Sequence, residues 1–365
     1  AYFSQEVKMK KVLTLIMSLM MVASLAACSS GTSTTEEAPK EEAATEEAAT
    51  TEASGDAVTY KVGVTIYKFD DNFMTLYRNE IENYFKTLET DTVKYAVTTV
   101  DGKNDAATQS QQVDDFITQG YDVVIVNPVM PSAADTILDK CVDADIPCIF
   151  INREPSEEIM TSCEGTDFEG KLTYVGADAR QSGRMQGEII ADLENKGDIN
   201  GDGKLQYVMV VGDPENVDAQ YRTQFSIEQY LEVSGLEVDK LVEERGMWDQ
   251  AKGQEITANA LAQHGDKIEV VFCNNDGMAL GAKQAIDEAG RTVGEDIYLV
   301  GVDALADAVD LIVKGEMTGT VLNDHIGQSH QAVDAAVMAL NGEALDEYYW
   351  VDYVKVTPEN AADFQ

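Results

Sequence analysis

The residues of this chain best suited to chemistry lie where apolar runs end. "GVTIYKFDDNF" (Gly63 to Phe73) starts as a buried strand and finishes in two carboxylates, an amide and a ring, among them Asp71 and Phe73. The pattern recurs. Asn127 ends "DVVIVN", and Asn152 ends "CIFIN" with Arg153 and Glu154 next. Asp213 follows "VMVVG", with Asp218 and Arg222 a few residues on. Asn274, Asn275 and Asp276 end "EVVFC", Asp303 ends "YLVGV", and Asn323 and Asp324 end "GTVL". Taken singly, each of these residues is adequately explained as a helix N-cap or a turn residue, since Asp and Asn favour both. Their recurrence at so many strand ends favours a shared site for part of the set. Carboxylates and amides accept from hydroxyls, while amides and guanidinium groups donate to them. Phe73 and Trp248 offer flat apolar faces to sugar C–H bonds, with core or lid packing as their other reading. Such a surface suits a neutral polyol; a phosphate would need a Gly-rich loop and surplus cations, and neither is present.

A second stretch, "DINGDGKLQ" (Asp198 to Gln206), has calcium-loop spacing. Asp198, Asn200 and Asp202 take positions 1, 3 and 5, and Gly203 takes the sharp turn at position 6. The Lys204 carbonyl and the Gln206 side chain would serve positions 7 and 9. Position 12, normally a bidentate Glu, is Met209. The missing carboxylate must come from elsewhere, and Glu269, which opens "EVVFC", is a candidate. The oxygen count favours Ca²⁺ over Mg²⁺.

These groups need a scaffold to position them. From Val58 onward, short β-branched runs alternate with helix-like segments such as Asn72 to Leu88, Asp105 to Gln119, Ser132 to Val142, Arg180 to Leu193 and Gly277 to Glu288. Strand–helix alternation with near-continuous apolar strands predicts parallel sheets covered on both faces. The pattern starts afresh near Leu205, which predicts two α/β lobes. In such sheets ligands bind at the carboxyl ends of the strands, where the polar residues recur. At 365 residues and 44% hydrophobic, the chain can fill two cores. Its 26 basic against 66 acidic residues, a net charge of −40, argue against nucleic acid or an anionic membrane surface as partner.

The N-terminal segment predicts the compartment. Lys8 to Lys11 precede an apolar run, Val12 to Cys28, in the manner of a secretory signal peptide. Its end, Leu25-Ala26-Ala27-Cys28, looks like a lipobox, with cleavage after residue 27 and lipid on Cys28. Residues 1–7 have no role in that design, so the expected start of translation is Met9. Residues 28–57, rich in Ser, Thr, Glu and Ala, are expected to form a flexible acidic tether. Cys148 and Cys273 sit in strand-like runs and are expected in the core. Cys141 and Cys163 could pair, although nothing in the sequence demands it, and no Cys/His cluster suggests zinc or redox chemistry.

From Val62 to Phe364 the chain resembles the galactose/glucose-binding proteins, the type I periplasmic sugar receptors of ABC importers. "GVTIYKFDDNF", "NREPS", "DINGDGKLQ", "MWDQA", "NNDGMALGA", "GVDAL" and "GTVLND" match that family in order. The resemblance implies two Rossmann-like lobes, 58–177 plus 324–350 and 178–323 plus 351–365. They are joined by a hinge crossed three times, near Ala177, Asn323 and Trp350, and close around the ligand. It implies a hexose, D-galactose or D-glucose, held by Asp71, Asn152, Asp218, Arg222, Asn275, Asp303 and Asn323 between the rings of Phe73 and Trp248. Asn216 stands where the family usually has a His, which leaves hexose selectivity open. Structural Ca²⁺ would be held by Asp198, Asn200, Asp202, Lys204 through its carbonyl, Gln206 and Glu269. The implied protein is a monomeric lipoprotein outside the cytoplasmic membrane, anchored by lipid alone. It would deliver sugar to importer permease subunits, with a chemoreceptor as an additional partner.

Other functions are weaker. The three His residues (His264, His325, His330) have no partner pattern, so no catalyst is expected. The pair Asp70-Asp71 could suggest a glycosidase, but the resemblance makes one of them a ligand contact. A sugar-responsive repressor would begin with a DNA-binding helix pair and be less acidic. The strongest alternative is a receptor for another sugar, such as ribose, xylose or a signalling furanone.

Overall fold

A computed structural model describes residues 57–365. The signal-like segment, Cys28 and residues 28–56 of the expected tether lie outside the described residues.

Two parallel sheets organise the molecule. The first has the order β11-β5-β4-β3-β1-β2. It comprises β1 (Val58–Ile66), β2 (Val93–Asp101), β3 (Val123–Val126), β4 (Cys148–Ile151), β5 (Leu172–Gly176) and β11 (Tyr348–Trp350). The second has the order β7-β6-β8-β9, made of β6 (Lys204–Val211), β7 (Glu237–Arg245), β8 (Val270–Cys273) and β9 (Tyr298–Val300). Strand β10 (Thr320–Leu322) attaches beside β9 through the bridges Val300–Gly319 and Asp303–Leu322, and β12 (Val354–Val356) pairs with it antiparallel.

The central strands "VVIV" and "CIFI" are buried along their whole length, because helices cover both faces. Alternate residues go to opposite cores. Val123 and Ile125 meet α1 (Asn72–Leu88) and α10 (His325–Leu340). Val124 and Val126 meet α2 (Ala106–Thr118) and α3 (Ala134–Ala144). In the second sheet, Val208 and Val210 face α7 (Gln250–His264), α8 (Asp276–Glu288) and α9 (Ala306–Val313). Tyr207 and Met209 face α5 (Ala179–Ala191) and α6 (Val217–Ser234). The short α4 (Glu157–Met160) lies between β4 and β5.

The chain passes between the sheets after β5, β10 and β11, so α10 and β11 pack on the first lobe although they follow most of the second. Helix starts carry the expected chemistry. Asp71, Asp105, Asp178, Asn216, Asp249, Asn275 and Asp324 each accept a backbone N–H of the helix they open. Cys141, Cys148, Cys163 and Cys273 are free, buried thiols, so Cys141 and Cys163 are not paired. Among the described residues no helix is long and apolar enough to cross a membrane.

Helix pairs in the second lobe meet backbone to backbone at glycines. A Cβ on Gly281 of α8 would stand 1.9 Å from the Gln250 carbonyl oxygen, and one on Gly187 of α5 would stand 2.3 Å from that of Ser226. Neither obstacle is a side chain that can swing away. Gly281→Ala is therefore expected to lower unfolding free energy by about 1–3 kcal/mol, the usual range for overpacking. Urea denaturation followed by far-UV circular dichroism checks this, and unchanged stability would mean that the helices separate freely.

Candidate functional site

The carboxyl ends of the two sheets face each other across a cavity with about 340 Å³ free of protein atoms. The first lobe contributes Tyr67, Asp71, Phe73, Met74, Asn152 and Arg153, and the second contributes Asn216, Asp218, Arg222, Trp248, Asn275, Asp303 and Asn323. All ten binding positions expected from the sequence thus line one cavity. Tyr67, Met74 and Arg153 are additions. Arg153 carried a legible signal, a cation directly after a strand-end Asn. Met74 carried none, because an apolar residue in the first turn of a helix normally packs in the core.

Several wall residues do two jobs. Asp71 caps α1 by accepting the Met74 N–H at 2.7 Å with Oδ1, while its Oδ2 accepts the Tyr67 hydroxyl at 2.7 Å. Asn216 and Asn275 likewise cap α6 and α8 from the wall. The cap and ligand readings of these residues are therefore compatible, since a capping side chain sits at the end of a strand–helix turn. Other strand-end residues stand behind the wall. Asn127 donates to the Ile151 carbonyl and to Asn152 Oδ1, both at 3.1 Å. Asn274 Oδ1 accepts the Gly212 N–H at 2.9 Å, and Asp276 accepts the Thr320 hydroxyl at 2.6 Å.

The rings are held from outside the cavity. Phe73 packs edge-on to Tyr77 and His325, with centroids 6.0 and 6.4 Å away. Trp248 lies against Gly212, where a Cβ would come within 2.2 Å of the indole. Left-handed backbone occurs here: Asn152, Trp248 and Asp303 have φ of 62°, 64° and 125°. Non-glycine residues persist in such conformations only where their surroundings enforce them, and such residues cluster at ligand sites.

Charge is the costly component. Arg222 donates to the Asn274 carbonyl at 2.9 Å and to the Tyr353 hydroxyl at 3.0 Å, and lies 3.5 Å from Asp218. Its Nε is buried without a hydrogen-bond partner. Burial pushes the Asp218 and Asp303 carboxyls above the usual carboxylate range, although Arg222 pulls both down. Their side-chain partners are the Arg222 Nη2, 3.5 Å from Asp218, and the Asn323 amide, 3.3 Å from Asp303.

The acidic loop before β6 forms a second cluster. Asp198 accepts the N–H groups of Gly201, Asp202 and Gly203 at 2.8 to 3.1 Å. Asn200 Oδ1 accepts the Asp202 N–H, and Gln206 bridges Asn200 and Asp202 through its side-chain amide. Glu269, only 1% exposed, accepts the N–H groups of Ile199, Asn200 and Gln206. Burial raises its pKa and those three hydrogen bonds oppose the rise. Five of the six expected ligand side chains or residues thus interlock directly with Glu269 or with one another, and Lys204 donates its N–H to Asp202. Among the described residues, no group of three or more His, Cys, Asp or Glu side chains stands close enough to hold a metal in this arrangement. The donor set is nevertheless all oxygen, as a hard cation requires. Glu269 is a buried carboxylate satisfied only by neutral N–H groups, so a cation would fit it.

Comparison with known proteins agrees with this geometry. The model of a family described as periplasmic binding protein domain matches residues 62–344. The D-galactose/methyl-galactoside binding periplasmic protein of Haemophilus influenzae is 36% identical, over 84% of this chain and 92% of its own. A putative rhizopine-binding protein of Rhizobium meliloti is 34% identical, over 83% and 92%. The crystal structure of an ABC transporter solute binding protein from Bacillus halodurans with bound myo-inositol superposes with a TM-score of 0.70 at 30% identity, covering 85% of this chain and 98% of that one.

One titration should be visible. Glu154, half-buried beside the cavity, is raised from 4.5 to about 7 by burial, with Arg180 opposing and Asp218 and Asp178 adding. Folding therefore favours its protonated form. Its contribution to stability is full below pH 4.5 and is lost as the pH rises towards about 7. Glu154→Gln should flatten the fall of Tm across that window, as measured by calorimetry at a series of pH values. An identical slope would show that Glu154 titrates normally.

Proposed function

Because the chain belongs to the periplasmic binding protein family, a family of solute receptors and not of catalysts, we propose that it captures a hexose, D-galactose or D-glucose, between its two lobes. The observation that carries this reading is that Phe73 from one lobe and Trp248 from the other line the same cavity, with carboxylates, amides and guanidinium groups around its rim. Ring faces cover the C–H surfaces of a pyranose, and the polar rim meets its hydroxyls. The relative from Haemophilus influenzae is named for D-galactose, which supports the choice of sugar. Delivery to an ABC importer, anchoring through lipid on Cys28 and an extracytoplasmic location complete the proposal.

A cyclitol is the competing ligand, because the Bacillus halodurans structure holds myo-inositol. Titration calorimetry with D-galactose, D-glucose, D-ribose and myo-inositol decides between them. Binding of either hexose without turnover is the expected outcome, and no heat with either would end the hexose reading. Trp248→Leu keeps apolar bulk against the core but removes the ring face. It should weaken hexose binding by about 2 kcal/mol, the scale of an interfacial Trp anchor, with a far smaller change in ligand-free stability. Equal losses in both would make Trp248 a core residue.

The loop of Asp198, Asn200, Asp202, Lys204 and Gln206, with Glu269, is proposed to hold a structural Ca²⁺. The ion would offset two of the three negative charges on Asp198, Asp202 and Glu269 and tie β6 to the start of β8. Added Ca²⁺ should raise Tm relative to protein in chelator, and Glu269→Gln should abolish the gain. A gain that survives the substitution would show that another group completes the site.

A further inference from the structure

Arg153 has a position that binding of a ligand does not by itself explain. It follows β4 in the first lobe and is 1% exposed. Its guanidinium lies over the Tyr67 ring, 3.8 Å from the centroid, and donates through Nη1 to the Val129 carbonyl. The same Nη1 stands 3.6 Å from Oδ2 of Asp213, which follows β6 in the second lobe. Asp213 is itself 8% exposed and does not line the cavity. Its other oxygen accepts the Glu215 N–H at 3.0 Å within its own loop. The pair therefore joins the two lobes directly, behind a wall that Arg153 helps to form.

Much of the cavity wall is out of solvent: Phe73, Asp218, Arg222, Asp303 and Asn323 are each 6% exposed or less, while Asp71, Asn152 and Trp248 are half-buried. A ligand can enter such a site only if the lobes part, and parting separates Arg153 from Asp213. We propose that this ion pair is a clasp that forms on closure, and that Asp213 is the positioning residue that holds the Arg153 guanidinium on the cavity wall. The inference rests on the reading that the lobes close around a ligand. Breaking one side of a buried charge pair leaves the other charge uncompensated, and such losses appear mainly in dissociation.

Asp213→Asn is the informative change, because its remaining side-chain oxygen can still accept the Glu215 N–H and keep the loop. Stopped-flow binding of D-galactose and D-glucose should show koff raised about tenfold or more with kon within about threefold, as expected for loss of a buried charge partner. Ligand-free Tm should be unchanged, and Asp213→Glu should recover part of the loss. Unchanged koff would overturn the clasp. So would a fall in ligand-free Tm shared by both variants, because the role would then be structural. If the parent protein binds neither sugar, the hexose reading fails separately. Stopped-flow release of myo-inositol from parent and Asp213→Asn then decides the clasp: faster release from the variant supports it, and equal release overturns it.

Discussion

Buried charge is the constraint on which this structure depends. Asp71, Asp218, Asp303, Arg153 and Arg222 share the walls of one small cavity. Charges out of water are costly unless each finds a partner. The fold supplies those partners: the Tyr67 hydroxyl for Asp71 and Asn323 for Asp303 within the cavity wall, and the Asn274 carbonyl and the Tyr353 hydroxyl for Arg222 from behind it. The Arg222 Nε alone is left without a partner among these groups.

Parallel sheets are the means of bringing these groups together. Every strand of the cavity-facing set ends at the same edge of its sheet, and the following turn opens a helix. A polar residue at that turn can cap the helix and face the cavity at once, as Asp71, Asn216 and Asn275 do. Stability and function therefore share residues here. The apolar layers behind, with glycines that let α5 meet α6 and α7 meet α8, keep the strand ends in register.

The three passages between lobes place residues from distant parts of the chain beside one another. Gln328 of α10 donates to Asn323 at 2.6 Å, and Tyr353, beyond β11, meets Arg222 of α6. Such contacts tie the crossings to the cavity wall, so a change in lobe position is felt where a ligand would lie. The Arg153–Asp213 ion pair adds a contact between the lobes behind the cavity wall.

Much of this was legible in the amino-acid order. Periodicity gave strand–helix alternation, since buried parallel strands must be apolar throughout, and polar residues at their ends marked the open edge of each sheet. The tight acidic turn at Asp198 to Gln206 and the Asp/Asn helix caps were local too, because they depend on residues within a turn or two of each other. Tertiary structure alone decided which strand-end residues reach the cavity and which stay behind it: Asn127, Asn274 and Asp276 look the same in sequence as Asn152, Asn275 and Asp303. The difference lies in where each turn points once two sheets face each other. It also decided that Arg153 meets Asp213, because Coulomb attraction over a few ångströms requires a proximity that sixty residues of intervening chain do not specify.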